Sequence, residues 1–141
     1  MDENGSRFEV QQTASNHFAW MNTQMSLQRT LMAGVRTGIS LIGFGFTVAQ
    51  FFERIRDKVP LSSQIAPNAP RDLGLTLIVA GVGLIALFLW QYRTMNAYMW
   101  TDPYRALAGM HGRRQLSGPY VAAWVVLLIG VAAFISVLLR F

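Results

Sequence analysis

Arg29 and Arg36 stand seven residues apart in a stretch with few other charges. A guanidinium presents its N–H donors in a planar fork that fits the oxygens of a carboxylate or a phosphate. On a helix the two share one face, about 10.5 Å apart along the axis. At about 100° per residue the same face runs through Ala33, Ser40, Gly43, Thr47 and Gln50, a spacing of four, three, four, three. That is the spacing of a seam in a left-handed helix bundle. The chemistry such a stripe offers is anion binding. A third cation, Arg93, closes the run Trp90-Gln91-Tyr92-Arg93, an aromatic belt of the kind found where a helix leaves the membrane. It lies level with Arg29 if the helix that carries it packs antiparallel to the first.

No acid is placed to neutralise these arginines. Asp2, Glu3, Glu9, Glu53, Asp57, Asp72 and Asp102 all belong to tails, connections or helix ends. The counter-charge must then come from lipid phosphate, a helix C-terminus or a solute. Arg36 sits about five residues inside an apolar run, about 8 Å deep. It can also snorkel, because helical side chains lean toward the N-terminus and its long stem can carry the charge to the headgroups. Both readings stay open at this point.

Catalysis finds no residues to work with. His17 and His111 are the only histidines and neither has an acid beside it in sequence. There is no cysteine, hence no thiolate ligand or cysteine nucleophile. Paired carboxylates, zinc-ligand spacing, a nucleophile triad and a phosphate-binding glycine loop are all missing. No enzyme activity, cofactor or metal is expected.

The elements that must position the arginines follow from composition. Of 141 residues 52% are hydrophobic and 13% charged, against about a quarter charged in soluble domains. Three apolar runs, about 31–52, 73–91 and 119–139, hold most of the hydrophobic residues. A helix needs about 20 residues to cross a bilayer and must satisfy its own backbone there. The expected fold is an all-α membrane protein with three transmembrane helices. A polar N-terminal tail, residues 1–30, precedes this 31–141 domain. It shows no signal-peptide pattern, but it repeats Ala14, Phe18, Met21 and Met25 at helical spacing, which predicts an amphipathic helix lying in the headgroup region.

The connections carry the charges and breakers. Glu53 to Lys58 is a charged cap; Pro60, Pro67 and Pro70 interrupt helix, with Asp72 placed to cap the second span. Asp102-Pro103 predicts a short helix, and Gly118-Pro119 opens the third span. Nearly opposite the polar stripe, Gly34, Gly38 and Gly45 with Ala49 form a strip of small residues where another helix can approach closely. Ala122, Ala123, Gly130, Ala133 and Ser136 offer the same on the third span. A bundle with two such faces on one helix is expected to self-associate, as a trimer or pentamer rather than a dimer, since a polar stripe needs an axis to face.

The net charge is +5, with 11 of the 12 basic residues arginine. In a membrane protein this points to anionic lipid or an anionic solute rather than nucleic acid. Six basic residues fall on the N-terminal side and five on the other, a narrow lean toward a cytoplasmic N-terminus.

The stretch Gln28-Arg29-Thr30-Leu31-Met32-Ala33-Gly34-Val35-Arg36-Thr37-Gly38 followed by Leu41-Ile42-Gly43-Phe44-Gly45-Phe46 resembles the signature of the YidH family, the "domain of unknown function 202" proteins. Arg29, Thr30, Arg36, Thr37 and Leu41 to Phe46 match it. The three spans, the Trp90 to Arg93 segment and Arg140 extend the likeness over most of residues 26–141. Two positions depart: the family's Glu before the first arginine is Gln28, and its Trp before the second is Gly34. The loss of the Glu leaves Arg29 more available to an external anion. The resemblance implies a bacterial inner-membrane protein. The membrane part of the vacuolar transporter chaperone complex is similar, and there basic residues line a path for polyphosphate around an axis. Carried over by position, Arg29 and Arg93 would line such a path, with Arg36 shared with the bacterial branch. Two readings follow. One is an oligomer whose arginine face binds or conducts an anion such as a phosphate polymer. The other is a structural subunit whose arginines hold anionic lipid headgroups.

Overall fold

The computed structural model describes residues 10–56, 69–101, 104–111 and 117–139. The connection around Pro60 and Pro67, the Asp102-Pro103 pair, Arg113, Arg114 and Arg140 lie outside the described residues. Helix α1 runs Ala14–Arg56, α2 Ala69–Met99 and α3 Gly118–Leu139, with a 3-10 turn segment at Tyr104–His111. All three α-helices are long and apolar enough to cross a membrane.

The extent of two helices differs from the sequence expectation. Residues 14–30 are helical, and they continue into the first span without a break. At about 1.5 Å per residue α1 is about 64 Å long, twice the thickness of the hydrocarbon. Thr13 starts it: its Oγ1 accepts from the Asn16 amide at 3.2 Å and its carbonyl accepts from the His17 amide at 3.0 Å, a capped N-terminus. Likewise α2 continues past Gln91 to Met99. It begins at Ala69, so Pro70 and Asp72 both fall in its first turn. Asp72 is therefore not the cap; its charge favours the positive end of the helix dipole from within the turn.

The projecting ends of α1 and α2 hold each other. Gln24 Nε2 donates to Asn96 Oδ1 at 2.9 Å, and Trp20 Nε1 reaches the Met99 carbonyl at 3.5 Å. His17 Nδ1 lies 2.6 Å from the Leu107 carbonyl, tying the 3-10 segment to α1. Trp20 meets Trp100 edge-on at 5.7 Å. These contacts order polar residues that no hydrocarbon would hold in place.

Within the bundle α1 and α2 are antiparallel and share the largest contact, and α3 packs on both. Two glycine pairs make the approach close. A Cβ on Gly45 would lie 2.7 Å from the Gly74 carbonyl oxygen, and one on Gly81 would lie 2.8 Å from that of Gly38. Gly34 faces the Phe88 ring. On α3, Gly130 admits Ile42 Cδ1 and Val82 Cγ2; Ala123 clusters with Leu31 and Val35, and Val137 with Ala49, which sets α3 parallel to α1. The core is Leu31, Val35, Ile42, Ile85, Leu89, Tyr92 and Ala123, continued below by Ala49, Ile78 and Val137.

The aromatic belt splits in two. Trp90 is 68% exposed, as an interfacial anchor should be, whereas Tyr92 is 7% exposed. Two residues are about 200° apart on a helix, so the pair cannot share a side. Tyr92 stacks on Tyr120 at 5.8 Å, and its hydroxyl pairs with Ser117 Oγ at 2.9 Å. The Ser117 carbonyl accepts the first amides of α3, from Tyr120 and Val121. Tyr92 thus locks the start of α3 to the end of α2. Tyr92→Phe, which removes only the hydroxyl, is expected to cost about 1 kcal/mol in a thermal melt of the purified protein. No loss of stability would mean that the Ser117 bond contributes nothing net.

Candidate functional site

The face that carries Arg29 and Arg36 is turned away from the rest of the bundle. The buried positions of α1 are Leu31, Gly34, Val35, Gly38, Ile42, Gly45 and Ala49. Arg29, Ala33, Arg36, Ser40, Gly43 and Thr47 lie roughly opposite and are exposed, with Gln50 half-buried. Gly43 shows how open this side is: a Cβ built there meets nothing within 4 Å. The glycines at 34, 38 and 45 face α2 of the same chain, so that strip is already occupied within the protomer. A second copy would have to approach another face.

The polar groups of the stripe are not equivalent. Ser40 Oγ donates to the Arg36 carbonyl at 3.1 Å and Thr47 Oγ1 to the Gly43 carbonyl at 2.8 Å. Thr37, just beside the stripe, donates to Ala33 in the same way. Each hydroxyl has spent its proton on its own helix, four residues back, and turns only lone pairs outward. These side chains are cheap to place in lipid, but in this rotamer they do not offer a donor to an anion. The cationic end is different. Among the described residues none hydrogen-bonds to or ion-pairs with Arg29, Arg36 or Arg93. An arginine at depth costs about 2.5–3.5 kcal/mol on insertion scales, so Arg36 is the group that most needs company.

Arg93 is exposed on α2. The facing of Gly38 by Gly81 and of Gln24 by Asn96 sets the register of the two helices. That register puts Arg93 within a turn of the level of Arg29. No contact joins the two; they share a level, on different helices.

Sequence reasoning missed Arg54. The four-three spacing carries on from Thr47 and Gln50 to Arg54, so the stripe ends in a cation at the far side as well. In sequence Arg54 reads as part of a charged cap, because its neighbours are charged. Its helical position was the usable signal. The clasp of His17, Trp20 and Gln24 was also missed, since its partners lie about 70 to 90 residues away in sequence.

Three membrane-length helices define a multi-pass membrane protein. The family model described as "Domain of unknown function (DUF202)" matches residues 22–98, more than half of the chain, and the protein belongs to this YidH-like family. The matched region spans the arginine stripe and both glycine pairs of α1 and α2, and it leaves α3 outside. No curated protein and no solved structure matches the chain.

Proposed function

We propose that this protein is a non-catalytic inner-membrane protein, with its N-terminus in the cytoplasm. Copies assemble around an axis faced by the arginine stripe, and the resulting surface binds or conducts an anion such as a phosphate polymer. The observation that carries this reading is the position of Arg29 and Arg36. They lie on the outer side of α1, opposite the glycine strip that α2 fills, and no described residue neutralises them. A cationic face directed at hydrocarbon is costly, and a shared polar axis removes that cost. A trimer or pentamer gives such an axis, whereas a dimer gives only a seam. Membrane lipid surrounds the exposed apolar sides. The choice of a phosphate polymer leans on the likeness of the first span to the membrane part of the vacuolar transporter chaperone complex.

The chain has no cysteine, which makes single thiols informative. Ser40→Cys is expected to cross-link between copies in native membranes. Val79→Cys, exposed on α2, should cross-link far less. Native mass spectrometry in mild detergent should show an oligomer at micromolar concentration. Monomer alone, with equal cross-linking from the two positions, would remove the axis. Arginines that then proved to retain anionic lipid would favour a lipid-binding subunit.

A further inference from the structure

An open groove of about 520 Å³ lies between α1 and α3 at the end of the bundle away from Arg29, lined by Phe46, Thr47, Gln50, Phe51, Arg54 and Ser136. The contact of Gly130 with Ile42 fixes the level of α3, and seats Ser136 beside the Thr47 to Gln50 turn. The walls change character along the groove. Phe46 and Phe51 supply exposed aromatic surface, 36% and 57% accessible. Thr47, Gln50 and Ser136 place hydroxyl and amide groups between the two rings, and Arg54 closes the outer end. Eighteen residues separate Arg36 from Arg54, about 27 Å of helix. With Arg36 a short way inside one boundary, Arg54 emerges at the headgroup level of the other, since the hydrocarbon is about 30 Å thick.

An occupant must therefore be apolar toward the bilayer centre and anionic at the headgroup level. We propose that the groove binds one anionic phospholipid, its phosphate on Arg54 and the upper part of an acyl chain along Phe46 and Phe51. Arg54 is exposed and makes no ion pair among the described residues, and its planar guanidinium fits the oxygens of a phosphate. Such charge-assisted bonds are among the stronger ones a protein makes. The site lies on the same stripe of α1 as Arg29 and Arg36 but at the opposite side of the membrane, about 27 Å along the helix from Arg36, and it does not depend on whether those two residues meet a soluble anion.

The test is native mass spectrometry of the purified full chain with phosphatidylglycerol or phosphatidylcholine at equal mole fraction. One retained phosphatidylglycerol per protomer is expected, in preference to phosphatidylcholine. Arg54→Gln should lower its occupancy about tenfold, the effect of losing one charged hydrogen bond. Ser136→Phe should do the same by filling the groove with no change of charge. The Arg29→Gln/Arg36→Gln double variant should keep this lipid. Glycerol 3-phosphate, a headgroup without chains, should not displace it. Equal retention of the two lipids, full occupancy in both groove variants, or loss of the lipid in the Arg29/Arg36 variant would each overturn the proposal.

Discussion

Gly45→Ala is expected to destabilise the protein by about 1–3 kcal/mol, the usual cost of forcing an extra carbon into a packed contact. Gly43→Ala, two residues away on the same helix, should be neutral or stabilise by about 0.5–1 kcal/mol through its backbone entropy. The difference lies in what the new methyl meets. At Gly45 it comes 2.7 Å from the Gly74 carbonyl oxygen, 2.9 Å from Leu77 Cβ and 3.0 Å from the Ile78 amide nitrogen. Two of those atoms are backbone and cannot rotate away, so α1 and α2 must separate. At Gly43 it meets nothing. Gly38→Leu should be worse than Gly45→Ala, with the Gly81 carbonyl at 3.0 Å and the Ile85 side chain closer still. Ile39→Leu, at an exposed position, should be tolerated. Circular-dichroism melts of the four variants in one detergent check this. Coincident curves for Gly45→Ala and Gly43→Ala would mean that the two helices do not approach closely at the glycines.

The spans were legible in the sequence because membrane length and hydropathy are local properties. Each apolar run needed only to be long enough and uncharged enough. Helix limits were less legible, and for a physical reason. The boundary drawn near residue 30 follows a change of solvent preference, whereas a helix ends only where backbone hydrogen bonding ends. Between Ala14 and Arg56 there is no proline, and nothing stops the helix. The order of the polar end depends on Asn96, Met99 and Leu107, which the neighbouring sequence does not mention. The two residues of the Trp90 and Tyr92 pair could have been told apart, since a helix places them on opposite sides. The belt pattern groups them because it treats aromatics as a class.

The stripe was legible as a pattern, and its surroundings were not. Spacing of three and four marks one face of α1 and the glycine spacing marks another. Neither spacing says which helix covers it. The structure sets the glycines against α2 of the same chain and turns the arginine face outward. Hydroxyl direction was equally hidden. Ser40 and Thr47 read as polar in the sequence, yet their donors serve the carbonyls of Arg36 and Gly43. An anion at this face would therefore be held by guanidinium groups first.

Anion binding at this face then rests on Arg29 and Arg36. Phosphate or polyphosphate added to the purified protein is expected to raise its melting temperature, because a ligand of the folded state alone stabilises it by about 2.7 kcal/mol at a hundredfold its dissociation constant. Arg29→Ala and Arg36→Ala should each remove most of the rise. Arg105→Ala, exposed in the 3-10 segment away from the stripe, should keep it. The rise should shrink as salt increases from about 0.01 M to 1 M, where the screening length falls from about 30 Å to 3 Å. The direct measurement is the melting temperature of these four proteins against polyphosphate at low and high salt. A salt-sensitive rise is expected in the parent and in Arg105→Ala, nearly absent in Arg29→Ala and Arg36→Ala. A full rise in both stripe variants would show that Arg29 and Arg36 do not hold the anion.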